Sequence, residues 1–467
     1  MSESTSSSGE SLTEPLGEAV LYKNASRGRP EEWFDWENME LKWGSVEPYH
    51  VVGKLGRGHF GEVFSAIDVR KEARRRKKKK KEEAGGGGAG ASGVGTDSEE
   101  GGGEEEDSEK AAEELLLRES TVVAKVLKPV SDSIIKREVK FLQNLSGGTN
   151  IIKLLDLVME PVTRTKSLIF EYVDTPDFKK MFLTFTDEDA RFYMYHLLLA
   201  LDYTHAKGVI HRDVKPHNVL IDPVRRKVRL IDWGLAAFYF PGHRFAKFPG
   251  TRVFKAPEML LQYPYYDYAV DMWSFGAMLA GIVLRKHPIF KGRKENINVL
   301  VAIAKTLGTD ELFHLVEKYN LPLRSGWEEK LSDHTGYEWE AFVNRKNRHL
   351  AVDDALDLVD GLLTCDHEAR LNVREAMAHP YFDPVRDQCE ESARNVGSVA
   401  ARRGLEPDMS DEWSSDQISY SIVLSSCDGE AGEESEAEGK RNRKGKMEVE
   451  GVSASDAAED DGEGGSG

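Results

Sequence analysis

Four residues within a short span could carry chemistry together. Asp213 lies in His211-Arg212-Asp213-Val214-Lys215-Pro216-His217-Asn218, a polar turn between apolar Val209-Ile210 and Val219-Leu220. A carboxylate held in such a turn can accept or orient the proton of a hydroxyl. Lys215 can offset negative charge that develops beside that hydroxyl. Asn218 offers an amide oxygen, and Asp232, fourteen residues further on, offers a second carboxylate. Such oxygens are hard ligands suited to a hard cation such as Mg²⁺. A base, a lysine and two cation ligands are what phosphoryl transfer to a hydroxyl asks of a protein, because positioning and charge neutralisation dominate that reaction.

These groups need a frame. From Tyr49 the pattern is β, with Val51, Val52 and Leu55 ahead of Gly56-Arg57-Gly58-His59-Phe60-Gly61-Glu62-Val63-Phe64. Glycines let a hairpin turn lie close above phosphates, where a Cβ would clash. The same G-x-G-x-x-G opens a helix in dinucleotide-binding folds, whereas Glu62-Val63-Phe64 continues as a strand. Thr121-Val122-Val123-Ala124-Lys125-Val126-Leu127 is a β-branched strand carrying one lysine. Residues 132–145 predict a helix with Ile134, Ile135, Val139, Leu142 and Leu145 on its apolar face. Ser131 or Asp132 would cap it, and Gly147-Gly148 end it. Glu138, in its middle, would pair with Lys125. Strands are expected at 151–157 and 167–172, with Phe170-Glu171-Tyr172-Val173 crossing between lobes where backbone groups can meet a purine edge. Thr186 and Asp189 have capping-box spacing ahead of a helix over 190–204. A strand over 227–231 runs into Asp232, and 269–284 is an apolar helix. Further helices are expected at 299–307, 311–319, 337–343, 355–363 and 373–378, with the fold closing near Pro380-Tyr381-Phe382.

At 467 residues the chain exceeds one ordinary domain, and parts of it cannot build a core. Residues 1–18 are rich in Ser, Glu and Gly. Residues 71–114 join eight consecutive basic residues, Arg74 to Lys81, to a glycine-rich run and an acidic run. Residues 386–467 form an acidic, Ser-rich tail. Composition predicts disorder in all three, the middle one as an insertion in a hairpin connection. The net charge of -18 argues against overall attraction to nucleic acid or anionic membrane. The basic run fits either a nuclear-import or nucleic-acid patch or a solvated tract balanced by its acidic neighbour. It lacks the aromatic residues that stack on bases. Cys365, Cys389 and Cys427 have neither zinc-site nor thioredoxin spacing and read as reduced thiols of a cytosolic or nuclear protein. The first residues show no signal-peptide pattern, and no apolar run approaches the length of a membrane span. The arm at 19–47 holds Trp33, Phe34, Trp36 and Trp43, whose apolar area predicts docking on the domain behind it.

The order H-R-D-V-x-x-x-N (211–218), Asp232-Trp233-Gly234 and Ala256-Pro257-Glu258, behind a glycine loop and V-A-x-K, resembles the protein kinases. Within them, residues from about 22 to 382 resemble the catalytic alpha subunits of casein kinase II. Arg29-Pro30-Glu31-Glu32-Trp33-Phe34-Asp35-Trp36, Ile135-Lys136-Arg137-Glu138, Arg191-Phe192-Tyr193-Met194-Tyr195, Lys215-Pro216-His217-Asn218, Arg229 to Ala236, Tyr266-Asp267-Tyr268 and Asp271-Met272-Trp273-Ser274 carry the match.

The resemblance implies an α+β, two-lobed fold. A mainly β N-lobe with one major helix would span 48–173, and a larger, mainly α C-lobe 174–385. It implies a serine/threonine kinase that uses ATP and also GTP, with Mg²⁺. Asp213, Lys215 and Asn218 would be catalytic, and Asn218 and Asp232 would hold the metal. The nucleotide would meet Leu55, Gly56, Arg57, Gly58, His59, Gly61, Val63, Val123, Lys125, Glu138, Phe170, Glu171, Val173, Leu220 and Ile231. Substrates would carry an acidic residue three positions after the hydroxyl. Activity would need no loop phosphate, because the arm packs on the activation segment (232–258), whose Thr251 would aid the substrate site. A regulatory beta subunit would touch the small-lobe sheet near Val51 and Phe64, and the protein would occupy nucleus and cytoplasm.

Some positions depart from the family's pattern. The family's lysine run ahead of the Glu138 helix is Lys128-Pro129-Val130-Ser131-Asp132-Ser133 here. Phe248, beside Lys247, replaces an arginine, and Gly61 and Ala256 are closer to ordinary kinases. Lys215, Arg252 and Lys255, helped by Lys136 and Arg137, remain for acidic substrates, so a weaker acidic preference is expected. Other readings are another acid- or proline-directed kinase of the same group, which Asp232-Trp233-Gly234 opposes, and a kinase-fold scaffold, which the intact Lys125, Asp213, Asn218 and Asp232 oppose.

Overall fold

The β-branched runs near the N-terminus do pair. The computed structural model describes residues 21–388, except 59–60, 72, 74–117, 119, 293 and the side chain of Lys179. The expectations for 1–18, for nearly all of the insertion and for the tail fall outside the described residues. Strands β1 (Tyr49–Arg57), β2 (Gly61–Asp68), β3 (Thr121–Leu127), β4 (Leu154–Met159) and β5 (Lys166–Glu171) form one antiparallel sheet in the order β1-β2-β3-β5-β4. Side chains alternate faces along a strand. Val122 and Ala124 of β3 therefore join Ala66, Val158 and Ile169 in a small core on one face. Val123 and Lys125 point to the other face, where the chemistry lies.

Helix α1 (Asp132–Asn144) buries Ile135, Glu138, Val139, Phe141 and Leu142. Its expected cap does not form. Ser131 stands at the N-cap position without a side-chain cap bond, and Asp132 pairs with Lys166 of β5 instead. Strand β4 starts later than the apolar run suggests. Ile151 is drawn out of that run into an isolated parallel bridge with Leu230, which joins the sheet lobe to the strand leading into Asp232.

The larger lobe is mainly helical. It contains α2 (Phe178–Thr184), α3 (Asp187–Ala206), α4 (Pro257–Leu260), α5 (Ala269–Val283), α6 (Asn296–Leu307), α7 (Thr309–Lys318), α8 (Trp327–Leu331), α9 (Asp353–Leu362) and α10 (Val373–Ala378). Thr186 and Asp189 close the capping box that starts α3. Helix α5 is apolar around its whole circumference and buries every residue from Val270 to Val283, as a central helix must. The helix expected over 337–343 is instead a 3-10 turn, Trp339–Phe342. Aromatic residues three apart suit that tighter turn as well as an α-helix. Short strands frame the catalytic turn. β6 (Val209–Ile210) pairs with β9 (Ala237–Phe238), and β7 (Val219–Asp222) pairs with β8 (Lys227–Leu230).

Aromatic residues of the arm meet both lobes. Phe34 sits edge-on to Phe238 at 5.0 Å between centroids and lies 4.9 Å from Phe240. Phe238 in turn lies 4.6 Å from Phe141 of α1. Asn144 donates to the Trp33 carbonyl at 2.8 Å, Lys136 to the Glu37 carbonyl at 2.9 Å, and Ser26 Oγ to the Tyr239 carbonyl at 2.7 Å. The arm therefore braces α1, which carries Glu138, against the segment directly behind Asp232. No helix among the described residues is long and apolar enough to cross a membrane.

Candidate active site

The turn after β6 is held from below by one buried carboxylate. Asp271, in the first turn of α5, accepts the backbone N–H of His211 at 2.8 Å with Oδ2 and that of Arg212 at 2.8 Å with Oδ1. His205 Nε2 lies 3.0 Å from Oδ2. Burial alone would raise the Asp271 carboxyl, but the His205 contact and the N–H donors hold it below its ordinary value. His211 packs edge-on against Trp233 at 4.8 Å, and its Nε2 lies 3.0 Å from the Ile231 carbonyl. The turn is thus locked to the β8 end from which Asp232 projects. The Arg212 guanidinium bonds the Leu235 carbonyl and the Tyr266 hydroxyl at 2.7 and 2.8 Å.

Asp213 is oriented by donors on both oxygens. Oδ1 accepts from the Thr251 N–H and from Thr251 Oγ1, each at 2.8 Å. Oδ2 accepts from Lys215 Nζ at 2.7 Å and Asn218 Nδ2 at 3.1 Å. Lys215 also reaches Thr251 Oγ1 at 2.8 Å. Gly250, at φ +102, lets the chain cross over the turn, since a Cβ there would overlap the Arg212 carbonyl. The structure brings Asp213, Lys215, Asn218 and Thr251 into one network.

The second cluster joins the two lobes. Lys125 Nζ lies 2.6 Å from Glu138 Oε1 and 3.5 Å from Asp232 Oδ1. Burial alone would lower the Lys125 ammonium, but Glu138 and Asp232 together hold it above its usual value. Asn218 Nδ2 donates to the Asp213 carbonyl at 2.8 Å, so the amide is fixed by its nitrogen and its oxygen is left for another partner. Asp232 takes a left-handed backbone, φ 65, and its Oδ1 is buried without a hydrogen bond. An oriented amide oxygen and a buried carboxylate oxygen whose nearest cation, Lys125, stands 3.5 Å away fit a hard cation completed by phosphate or water oxygens.

The nucleotide-side residues fall on the expected elements, with differences in what they do. Leu55, Gly56 and Arg57 lie on β1, Gly58 just beyond its end and Val63 on β2, while His59 lies outside the described residues. Val63 pairs with Lys125, and Val123 with Phe170. Val173 and Phe170 are buried. Leu220 lies on β7, and the Ile231 N–H donates to the Asn218 carbonyl at 2.9 Å. Gly61 is glycine for a reason other than phosphate approach, because a Cβ there would overlap the Val126 carbonyl of β3, whereas at Gly56 nothing lies within 4 Å. Gly61→Ala is therefore expected to cost about 1–3 kcal/mol, the usual penalty of overpacking, and Gly56→Ala to leave stability unchanged in urea unfolding. The Glu171 carboxylate faces away from a nucleotide role. It binds Lys227 Nζ at 2.5 Å, Arg229 Nε at 2.7 Å and the Lys153 N–H at 3.1 Å, so the side chain is spent on these partners.

The cations expected to meet acidic substrates differ in availability. Arg137 bonds the Ala236 carbonyl, and burial with the neighbouring Arg212 pushes its pKa down to about 10. Lys136 is tied to the arm. Lys255 donates to the Phe248 carbonyl at 2.6 Å, and burial and then Arg252 lower its pKa. Thr251, expected at the substrate site, binds Asp213 directly. The sequence reading assigned Asp271 no role in the site, and its one signal there is an aspartate inside an otherwise apolar helix, in Asp271-Met272-Trp273. A family model described as a protein kinase domain matches residues 116–382.

Proposed function

The chain belongs to the protein kinase family, and we propose that it is a serine/threonine kinase of the casein kinase II alpha type. It transfers the γ-phosphate of ATP, and also of GTP, to Ser or Thr followed by acidic residues. The observation that carries this reading is the Asp213 carboxylate, fixed by Thr251, Lys215 and Asn218, in a chain where Lys125 meets both Glu138 and Asp232.

In this reading Asp213 accepts or orients the substrate hydroxyl proton, and Lys215 offsets charge on the transferring group. Lys125, braced by Glu138, binds the α/β-phosphates. Asn218 and Asp232 would hold Mg²⁺, which when bound neutralises phosphate charge. Trp233 in the Asp-Trp-Gly element and Lys215-Pro216-His217-Asn218 favour the casein kinase II type. Activity independent of loop phosphorylation is supported by the arm, whose Phe34 and Asn144–Trp33 contacts brace α1 against the start of the activation segment. A regulatory subunit would find apolar surface on β1, where Val51 and Val52 are 59% and 67% exposed. Nuclear and cytoplasmic residence is part of the same proposal.

The acidic preference should be present but reduced, since Lys136, Arg137 and Lys255 are partly engaged with carbonyls. On a peptide array, serine peptides with Asp or Glu three residues on are expected to react about 10-fold faster than neutral ones, the size of one modest charge contact. Equal rates would overturn the acid-directed reading and leave the kinase reading standing.

A further inference from the structure

We propose that Tyr266 is a positioning residue whose hydroxyl couples Arg212 of the catalytic turn to the Lys247 carbonyl, and so holds the stretch ahead of Thr251 in the shape that receives a substrate peptide. The inference rests on the kinase reading above and concerns the peptide side of the same site.

Tyr266 lies just ahead of α5 and is buried. Its hydroxyl both accepts and donates. The oxygen accepts from Arg212 Nη1 at 2.8 Å, and the proton goes to the Lys247 carbonyl at 2.8 Å. Arg212 is itself fixed through its other nitrogens by the Leu235 carbonyl at 2.7 Å and the Ala236 carbonyl at 3.3 Å. A guanidinium on the oxygen strengthens the hydroxyl as a donor. The Tyr266 ring stacks on Phe245 at 4.3 Å between centroids, 16° from parallel, and lies 5.9 Å from Phe248. Phenylalanine would keep those ring contacts and lose both hydrogen bonds.

The stretch that the hydroxyl grips has no ladder of its own. Phe245 donates its N–H to the Pro264 carbonyl at 2.8 Å, and Thr251 donates its N–H to Asp213. Among the described residues, no backbone N–H between those two finds a backbone acceptor. Such a stretch takes its shape from side-chain partners. Here these are Tyr266 at the Lys247 carbonyl, Lys255 at the Phe248 carbonyl and Asp213 at Thr251. The Tyr266 tie reaches the catalytic turn through Arg212, one residue before Asp213, so both ends of 247–251 are registered against the same turn. A peptide whose hydroxyl reaches Asp213 passes beside the chain that brings Thr251 to the same carboxylate. With the Lys247 end released, that chain samples other shapes. A peptide then binds only the ordered fraction, and its apparent dissociation constant rises in inverse proportion. The nucleotide-side contacts of Lys125 with Glu138 and Asp232 involve none of these groups.

The test compares full-length wild type with Tyr266→Phe. With an acidic serine peptide and ATP, peptide KM is expected to rise about 10-fold, the scale of one hydrogen bond to a charged group. The Kd of ATP by calorimetry and the melting temperature should stay at wild-type values, and kcat should change far less than KM. A second readout needs no activity. Lys247 is exposed, and trypsin attacks the very carbonyl that Tyr266 holds. In limited proteolysis of the native protein, cleavage between Lys247 and Phe248 should be about 10-fold faster in the variant, with cleavage elsewhere unchanged. Peptide KM that stays at its wild-type value overturns the proposal, with or without faster cleavage. So does a parallel loss of ATP affinity, melting temperature and kcat, which marks a residue that only supports folding. Wild-type protein that transfers no phosphate contradicts the kinase reading, and peptide Kd by calorimetry then takes the place of KM. Unchanged cleavage at Lys247 in the variant overturns the role of Tyr266 whatever the transfer assay gives.

Discussion

Asp213→Asn is expected to lower kcat by about 10²–10⁴-fold, the range associated with a positioned general base, with the melting temperature close to wild type. Asparagine has the shape of aspartate and keeps an oxygen for the Thr251 N–H and hydroxyl, which bind Asp213 Oδ1 at 2.8 Å. The turn is also held independently through Asp271, which takes the His211 and Arg212 N–H groups. What the variant loses is the negative charge that attracts a hydroxyl proton and pairs with Lys215 at 2.7 Å. The loss should fall on kcat, with KM for nucleotide little changed, because Lys125, Glu138 and Asp232 are untouched. A parallel fall in kcat and thermal stability would mean that Asp213 is chiefly structural.

Glu258→Ala is expected to destabilise the folded chain by about 3–5 kcal/mol, the cost of leaving one member of a buried ion pair alone. Glu258 and Arg370 are 1% and 0% exposed, and Nη1 and Nη2 of the guanidinium bond the two carboxylate oxygens at 2.8 and 3.0 Å. Arg370 also donates to the carbonyls of Thr364, Cys365 and Ala269. Those carbonyls satisfy its N–H groups without neutralising its charge, so removing Glu258 strands a buried cation. The pair joins α4, which ends the activation segment, to the loop before α10. Urea unfolding of Glu258→Ala and of Glu258→Leu/Arg370→Met separates the effects. The double variant should recover part of the loss, since apolar replacements of a buried pair carry no unpaired charge. A single variant within about 0.5 kcal/mol of wild type, the range of ordinary surface substitutions, contradicts this account.

The parts of the site legible in the sequence are those with local causes. His211 to Asn218 is one continuous turn, and its contacts from Asn218 to Asp213 span few residues. The Thr186–Asp189 capping box is likewise written in four adjacent positions and forms as its spacing requires. The β3 lysine and the α1 glutamate were legible because they stand, in that order, between the glycine loop and the catalytic turn. What could not be read is set by contacts between distant positions. Asp271 reaches the His211 N–H across 60 residues, and Arg370 reaches Glu258 across 112. Neither pairing leaves a periodic trace. Glu171 was placed at the nucleotide because its neighbours are, but its side chain is claimed by Lys227 and Arg229 from another hairpin. Gly61 fitted a phosphate-loop motif, and the local reason for it is the Val126 carbonyl of the adjoining strand. The cap of α1 failed because Lys166, on a strand far along the chain, draws Asp132 away.

In the proposed reaction this site moves a phosphoryl group to a protein hydroxyl. Its most direct test is incubation of purified full-length protein with Mg²⁺, γ-labelled ATP and an acidic serine peptide, beside the Asp213→Asn variant. Labelled phosphoserine is expected with wild type and about 10²–10⁴-fold less with the variant. Tight nucleotide binding by wild type with no label on any serine, threonine or tyrosine peptide would contradict it.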